Sequence, residues 1–230
     1  MEQEKLNWLV HTPAPNLTAS ENFYSRLGFS KLEASSNIWQ SDACVVELNP
    51  DNFARAGIKL FASNWAETVE KIESLTSIYP ITGGYLCFSP SGTAVYLIEV
   101  EQSFPVSNNT SLLGKYAGLS LESTNLEAST LFWEALDFKM KYGSPDQGWL
   151  SFVHSESLGV SIMKPLTCPH LFFNPSLTYF NGKENLAIIE KIRATGLPIA
   201  QEVTAFNSEN IVDNIILRDP GGYGFFIFND

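Results

Sequence analysis

The order of the chain is set by one short stretch near its start, Asn22–Phe29, which reads NFYSRLGF. It joins an aromatic helix end to a glycine and to the first residue of a new strand. A loose copy, LFWEALDF, stands at Leu131–Phe138, almost half the chain further on. Because a repeat at long spacing indicates a duplicated structural unit, the sequence predicts a tandem architecture.

Each copy lies inside a segment with the same order of predicted elements. The first segment has a strand-like run at 6–11, a helix that contains Phe23 and ends at Gly28, and then three short strands. Three further segments repeat this order. Two of them end in hairpins whose turns have proline in second place, Ser89-Pro90-Ser91-Gly92 and Asp219-Pro220-Gly221-Gly222. The sequence therefore predicts four βαβββ modules and an α+β fold.

Polar residues mark where the predicted helices begin. Thr18-Ala19-Ser20-Glu21 fits a capping box, in which the threonine oxygen accepts from the third helical N–H and the glutamate reaches back. Asn64 is the predicted N-cap of the second helix, and Thr124 or Asn125 is that of the third. These caps place the helix of a module directly after its first strand.

A segment without periodicity divides the chain near its middle. Between Glu101 and Gly114 the sequence is rich in Ser, Asn and Pro, which is typical of a linker. The predicted first domain is 1–103, with modules 1–50 and 51–103. The predicted linker is 104–113, and the predicted second domain is 114–230, with modules 114–165 and 166–230.

Composition and charge narrow the function classes. The chain has 230 residues and a net charge of −11, which argues against nucleic acid, because phosphates need clustered Lys and Arg. No apolar run approaches the roughly 18 residues of a membrane span, and no basic-plus-apolar leader opens the sequence. The three cysteines have no metal-like spacing. We therefore expect a cytoplasmic protein that binds neither nucleic acid nor a membrane.

Three motifs, in this order along nearly the whole chain, resemble the vicinal oxygen chelate superfamily. That superfamily includes glyoxalase I, the bleomycin-resistance proteins, fosfomycin-resistance enzymes and extradiol dioxygenases. The motifs are Phe23-Tyr24 with Leu27-Gly28-Phe29, Phe132-Trp133 with Leu136-Asp137-Phe138, and Asp219-Pro220-Gly221-Gly222-Tyr223. The resemblance implies two similar domains. Each pairs two modules, so that an incomplete barrel of mixed sheet curls around a cavity.

The resemblance also implies where a divalent metal would lie, since the enzymes of the superfamily draw His and Glu ligands from the first and last strands of their modules. In this sequence those places hold Leu9, Glu47, Gly57 and Tyr96 in the first half. In the second half they hold Gly118, Ile162, Leu177 and Phe226. Hard divalent ions need carboxylate or imidazole donors, so only Glu47 matches, and we expect no cofactor.

Strand alternation extends the positions that the resemblance implies to a set of cavity-facing residues. His11 shares a strand face with Leu9, so it points the same way. The predicted ligand-binding residues of the first half are His11, Glu47, Lys59 and Tyr96. Those of the second half are Glu122, Tyr179 and Phe226, with Ser120 and Phe228 on the same faces. In the alternative interpretation the aromatic residues fill the core, His11 caps a strand end, and Glu47 is paired or solvated.

One irregular segment receives no role from the sequence. Residues 165–175 are apolar and bounded by prolines, and they hold Cys168 and His170. No nucleophile elbow, glycine-rich phosphate loop or Cys/His pair at a useful spacing is present in the sequence.

Two hypotheses about the function, from different classes, follow from these observations, and a third is weaker. The first is a metal-free protein of the bleomycin-resistance kind that binds a small organic molecule, cationic or aromatic, and this binding role is favoured over an enzyme. The alternative is a divalent-metal-dependent lyase or dioxygenase of the same superfamily, with a relocated site around His11 and Glu47. The third is a scaffold for oligomers, and a homodimer is left open.

Overall fold

The computed structural model describes residues 5–34, 36–154 and 158–229. The helices of its first half are α1 (Leu17–Arg26) and α2 (Ala66–Ile72). The strands of this half are β1 (Lys5–Leu6), β2 (Trp8–Pro13), β3 (Ser30–Lys31), β4 (Ile38–Ser41), β5 (Cys44–Asn49), β6 (Gly57–Ala62), β7 (Tyr79–Ile81), β8 (Gly84–Phe88), β9 (Ala94–Glu99) and β10 (Phe104–Pro105).

The second half has the same order of elements. Its helices are α3 (Leu126–Ala135) and α4 (Asn185–Ala194). Its strands are β11 (Tyr116–Glu122), β12 (Lys139–Ser144), β13 (Trp149–Val153), β14 (Gly159–Met163), β15 (Ser176–Phe180), β16 (Ile199–Val203), β17 (Asn214–Arg218) and β18 (Gly224–Phe228). Of the helices in the described ranges, none is long and apolar enough to cross a membrane.

Each half forms one mixed sheet of eight strands. The first sheet has the order β3-β4-β5-β2-β6-β9-β8-β7, and the second has the matching order β12-β13-β14-β11-β15-β18-β17-β16. Within every module the first and last strands pair in parallel, as β2 with β5 and β11 with β14. Two modules then join antiparallel at the sheet centre. Neither sheet closes into a barrel within the described residues, and the predicted α+β fold of four βαβββ modules is confirmed.

Asparagine caps begin the first helix of each half. The side-chain oxygen of Asn16 accepts from the N–H of Ala19 at 3.1 Å, and that of Asn125 accepts from Ala128 at 2.9 Å. The capping box predicted at Thr18 is therefore wrong, because Asn16 already satisfies the first free N–H groups two residues earlier. Asn125 is confirmed as the cap of α3.

The two halves share one continuous apolar core. The Phe23 ring at the end of α1 lies 5.5 Å from the ring of Phe225 in the second sheet, and Trp8 stacks on Tyr116 at 6.0 Å. The helix-end motif of α1 is thus a packing element that also joins the two halves. Contacts of this kind fix the two sheets relative to each other.

A turn adds a polar contact to this apolar joint. The buried carboxylate of Asp219 accepts hydrogen bonds from the hydroxyl of Thr12 at 2.8 Å and from that of Tyr24 at 2.9 Å. Burial raises the pKa of this carboxyl, and these hydrogen bonds oppose that rise. A Cβ atom at Gly221 would lie 2.0 Å from the carbonyl oxygen of Pro13, so only glycine lets the turn approach β2.

The segment predicted as a linker is packed against the first sheet. Phe104 pairs with Leu6 in a two-stranded sheet formed by β1 and β10, and both side chains are buried. Leu113 is also fully buried. The segment therefore contributes to the core, while the exact domain boundaries stay a prediction.

Candidate functional site

The strand registers define four equivalent positions in the two sheets. In the first sheet His11 lies opposite Glu47, and Lys59 lies opposite Tyr96. In the second sheet the equivalent pairs are Ser120 with Ser161 and Thr178 with Phe226. Each set lies on the four central strands of its sheet. These are the first and last strands of both modules.

The first-half positions form an ionic cluster. The ammonium nitrogen of Lys59 lies 2.5 Å from Oε2 of Glu47, and Nε2 of His11 lies 3.8 Å from the same oxygen. The His11 ring packs on the Tyr96 ring with centroids 4.5 Å apart, and Lys59 lies 5.7 Å from the centre of that ring. The structure therefore brings together all four residues predicted from the sequence for this half.

Hydrogen bonds assign the tautomer of His11. Its Nδ1 lies 2.8 Å from the carbonyl oxygen of Arg55, which can only accept, so Nδ1 carries the hydrogen. The Nε2 atom then accepts from the side-chain amide of Asn49 at 3.0 Å. Burial lowers the pKa of His11; Glu47 opposes this effect, and the charge of Lys59 adds to it. The imidazole is therefore neutral near pH 7.

The ionic cluster opens onto a cavity of about 860 Å³. His11, Lys59 and Tyr96 line it, together with Asn49 and the exposed side chain of Phe53. The cavity thus presents one ammonium, one neutral imidazole and the carboxylate of Asp51, and its wall has both polar and apolar parts.

The first-half cluster does not fit a divalent metal. Both ring nitrogens of His11 are engaged, Nδ1 with a carbonyl and Nε2 with the amide of Asn49. The carboxylate of Glu47 is neutralised by Lys59, whose ammonium already supplies the positive charge beside it. In the described ranges no three His, Cys, Asp or Glu side chains are grouped so as to hold a metal ion. The donor set is therefore an ion pair with a hydrogen-bonded histidine.

The second-half positions line a smaller, more apolar cavity of about 470 Å³. Its wall contains no Asp, Glu, Lys or Arg side chain among the described residues. The rings of Phe226 and Phe228 stack with centroids 5.3 Å apart, and Phe172 meets Phe226 edge-on at 4.9 Å. The aromatic residues of the wall are Tyr142, Trp149, His170, Phe172, Phe180, Phe226 and Phe228.

A row of hydroxyl groups crosses the same cavity. Ser151 lies opposite Ser161, and Ser161 lies opposite Ser120 on the next strand. The hydroxyl of Ser120 is 2.7 Å from that of Thr178. All four side chains line the cavity, so they form a polar, uncharged strip on its sheet surface. Hydroxyls and a phenylalanine do not form a ligand set for a hard divalent ion, so these strand positions do not fit a metal either.

The three residues predicted to bind a ligand in the second half lie in three different places. Phe226 lines the cavity, as expected. Tyr179 lies on the opposite face of β15, where its ring stacks on Phe225 at 6.5 Å in the core between the halves. The carboxylate of Glu122 accepts from the N–H of Leu166 at 3.2 Å, outside the lining of the cavity.

The misplacement of Tyr179 has a structural reason. Its side was assigned by counting from positions that the superfamily pattern places on β15. The strand register shows that this count was off by one residue, because Thr178, not Tyr179, pairs with Phe226 on the neighbouring strand and lines the cavity with it. The residues on the cavity face are therefore Thr178 and Phe180.

The segment 165–175 contributes to the second cavity, which the sequence did not predict. Cys168, His170 and Phe172 from this segment all line the second cavity. The signal was present as an apolar, aromatic run in a place where a connection between modules is usually polar. Without periodicity, however, nothing in the run indicated which side chains face the sheet.

The architecture was compared with known proteins. No protein-family model matches the sequence, and no curated protein matches it. Solved structures do match. The Mn(II)-bound glyoxalase from Novosphingobium aromaticivorans has a TM-score of 0.58 at 14% identity, over 97% of this chain and 81% of that protein.

Two dioxygenase structures match over similar lengths. The halotolerant catechol dioxygenase BphC gives a TM-score of 0.53 at 14% identity, over 99% of this chain and 89% of its own. A variant of homoprotocatechuate 2,3-dioxygenase from B. fuscum gives 0.58 at 12% identity, over 97% and 71%. Identities this low establish the fold alone. With the module order and the two matching sheets, they show that the chain has the vicinal oxygen chelate fold in its tandem two-domain form.

Proposed function

We propose that this protein binds a small aromatic molecule in the cavity of its second half, without a metal. The observation that carries the proposal is the wall itself, where stacked phenylalanine rings face a row of uncharged hydroxyls. A volume of about 470 Å³ falls within the range of small-molecule sites. Aromatic rings favour offset or edge-to-face partners, so an aromatic ligand gains more here than an aliphatic one.

The cavity of the first half supports this role less well. An aromatic ligand placed there would have to desolvate the ammonium of Lys59 and its partner Glu47, and burial of charge opposes binding. The second cavity imposes no such cost, since its described wall is uncharged. The two cavities therefore provide a test and its internal control within one chain.

Isothermal titration of chelator-treated protein with naphthalene, 1-naphthol and indole tests the proposal. We expect binding of at least one of these probes, and we expect Phe226→Ala to weaken it by about tenfold or more, because that ring stacks on Phe228 at the wall. Phe172→Ala gives a second variant at a half-buried position, in case Phe226→Ala folds poorly.

The matched control is Tyr96→Ala, which changes the equivalent position of the first half. Its affinity for the probes should stay within about twofold of the wild type. Equal weakening by Tyr96→Ala and Phe226→Ala would contradict the proposal, and so would the absence of binding for all probes.

The alternative function is a divalent-metal-dependent lyase or dioxygenase with a site at His11 and Glu47. His11 and Glu47 lie 3.8 Å apart, and one structural neighbour is a Mn(II)-bound glyoxalase, but a metal here would first have to displace Asn49 from His11 and Lys59 from Glu47. Elemental analysis of protein purified without chelator separates the two functions. Stoichiometric Mn, Fe, Ni or Zn that is lost in His11→Ala would support the enzyme; we expect less than about a tenth of an equivalent.

A further inference from the structure

The aromatic wall of the second cavity contains one imidazole. The His170 ring is surrounded by four phenylalanine rings at centroid distances of 5.1 to 6.5 Å. These are Phe172, Phe206, Phe226 and Phe228. Three of the four members come from the end of the chain, and Phe172 shares the 165–175 segment with His170. We call this group the phenylalanine cage.

The tautomer of His170 follows from its hydrogen bond. The Nδ1 atom lies 2.8 Å from the carbonyl oxygen of Leu171, which can only accept, so Nδ1 carries the hydrogen. Partial burial lowers the pKa of this imidazole, so the ring is neutral near pH 7. Its Nε2 atom then has a lone pair, and no residue in the described ranges forms a hydrogen bond with it.

Three hydroxyl groups of the wall are already engaged within the protein. The hydroxyls of Ser120 and Thr178 bond to each other at 2.7 Å, and that of Thr167 donates to the carbonyl of Lys164 at 2.7 Å. The Nε2 atom of His170 differs from them, since it is an acceptor with no hydrogen of its own. An apolar ligand that covered it would remove water from this acceptor and leave it unpaired.

We propose that His170 makes this cavity selective for aromatic ligands that carry a hydrogen-bond donor, such as a ring hydroxyl or a ring N–H. This inference rests on the proposed function and names the ligand class of the same site. The phenylalanine cage supplies contact area to any aromatic ring, while Nε2 of His170 discriminates between rings. An acceptor that a bound ligand covers rejects a ligand without the donor more strongly than an apolar surface rejects one extra methyl group.

Two pairs of matched probes test the selectivity by isothermal titration. 1-Methoxynaphthalene is 1-naphthol with a methyl group in place of the hydroxyl hydrogen. 1-Methylindole is indole with a methyl group in place of the N–H hydrogen. In the wild type we expect the donor-bearing member of each pair to bind about tenfold more tightly, which corresponds to about 1.4 kcal/mol. In His170→Phe the ratio should fall to about one, because phenylalanine keeps the ring but has no acceptor.

Two further variants separate a specific role of His170 from a structural one. Phe172→Leu removes a cage ring but no acceptor, so it should weaken both members of a pair and leave their ratio unchanged. His170→Gln restores an acceptor oxygen and should recover part of the ratio.

The outcomes distinguish this inference from the proposed function. Equal affinities for both members of each pair in the wild type would overturn the selectivity and leave the aromatic cavity standing. A ratio that is unchanged in His170→Phe would also overturn it. Failure of all four probes to bind would overturn the proposed function, and the selectivity with it.

Discussion

The two halves of this protein place different chemistry at the same four positions. In the first sheet those positions hold an imidazole, a carboxylate, an ammonium and a phenol, from His11, Glu47, Lys59 and Tyr96. In the second they hold three hydroxyls and a phenyl ring, from Ser120, Ser161, Thr178 and Phe226. Register and strand order agree, yet one set is ionic and the other is uncharged. The fold therefore fixes where a site lies but not what it can bind.

A second pair of equivalent positions differs in the same way. The turns at 89–92 and 219–222 have the same backbone hydrogen bonds. The first begins with Ser89, whose hydroxyl accepts from the N–H of Thr93 at 3.3 Å. The second begins with Asp219, whose carboxylate accepts from Tyr223 at 2.7 Å and also reaches Thr12 in the other half. Only the second turn uses its side chain to join the two sheets.

The largest effect on the free energy of unfolding is expected when the hydrogen bonds of Asp219 between the two halves are removed. Asp219→Ala leaves the hydroxyls of Thr12 and Tyr24 and one backbone N–H without their acceptor, so the free energy of unfolding should fall by about 3 kcal/mol or more. Ser89→Ala is the matched control and should lose about 1 kcal/mol or less. Urea unfolding measures both, and equal losses would show that the joint between the halves is not special.

The next effect comes from the ionic cluster. Lys59→Met leaves the partly buried carboxylate of Glu47 without its cation and should lower the free energy of unfolding by about 2 kcal/mol. The double variant with Glu47→Gln should recover most of this loss, because no charge is then left unpaired. Thr178→Val, at the position equivalent to Lys59, should show no such coupling with Ser161→Ala. If the losses of unfolding free energy in the two single variants simply added up in the double variant, Lys59 and Glu47 would not be coupled, and the ionic cluster would be contradicted.

A smaller effect is the dependence of the free energy of unfolding on pH through His11. Burial lowers the pKa of His11, so the unfolded chain binds a proton at a higher pH than the folded one. The contribution of this histidine to stability is therefore complete above its unfolded pKa of about 6.5 and is lost as the pH falls towards its folded pKa. One proton changes stability by at most about 1.4 kcal/mol per pH unit.

The difference between the wild type and His11→Gln isolates this term, since His170 is present in both proteins. Their difference in the free energy of unfolding should shrink as the pH falls below about 6.5. A difference that grows over the same range would show that the cluster holds His11 in its charged form.

The smallest effect is expected at Ser161, which occupies the position equivalent to Glu47. Ser161→Ala should change the free energy of unfolding by no more than about 0.5 kcal/mol, because this hydroxyl has no ionic partner in the described part of the chain. Glu47→Ala should cost clearly more. Comparable losses of unfolding free energy in Ser161→Ala and Glu47→Ala would show that the two cavities do not differ energetically at this position.

The sequence predicted much of this architecture and part of the site. The repeat that begins at Asn22–Phe29 indicated four modules. Strand alternation, counted from the positions that the resemblance implies, grouped His11 with Lys59 and Tyr96. Two things escaped it. The side of Tyr179 depended on a count along the superfamily pattern that is off by one residue in β15, and the position of His170 depended on a segment without periodicity. Alternation predicts faces within a strand, but irregular segments are placed by long-range packing.

The most direct test of the difference between the two cavities is a crystal structure of chelator-treated protein grown with 1-naphthol. We expect the ligand in the second cavity, against Phe172 and Phe226, with its hydroxyl within hydrogen-bonding distance of Nε2 of His170. The first cavity should retain the contact between Lys59 and Glu47. A ligand found only beside Lys59 and Tyr96 would contradict the assignment of the aromatic site to the second half.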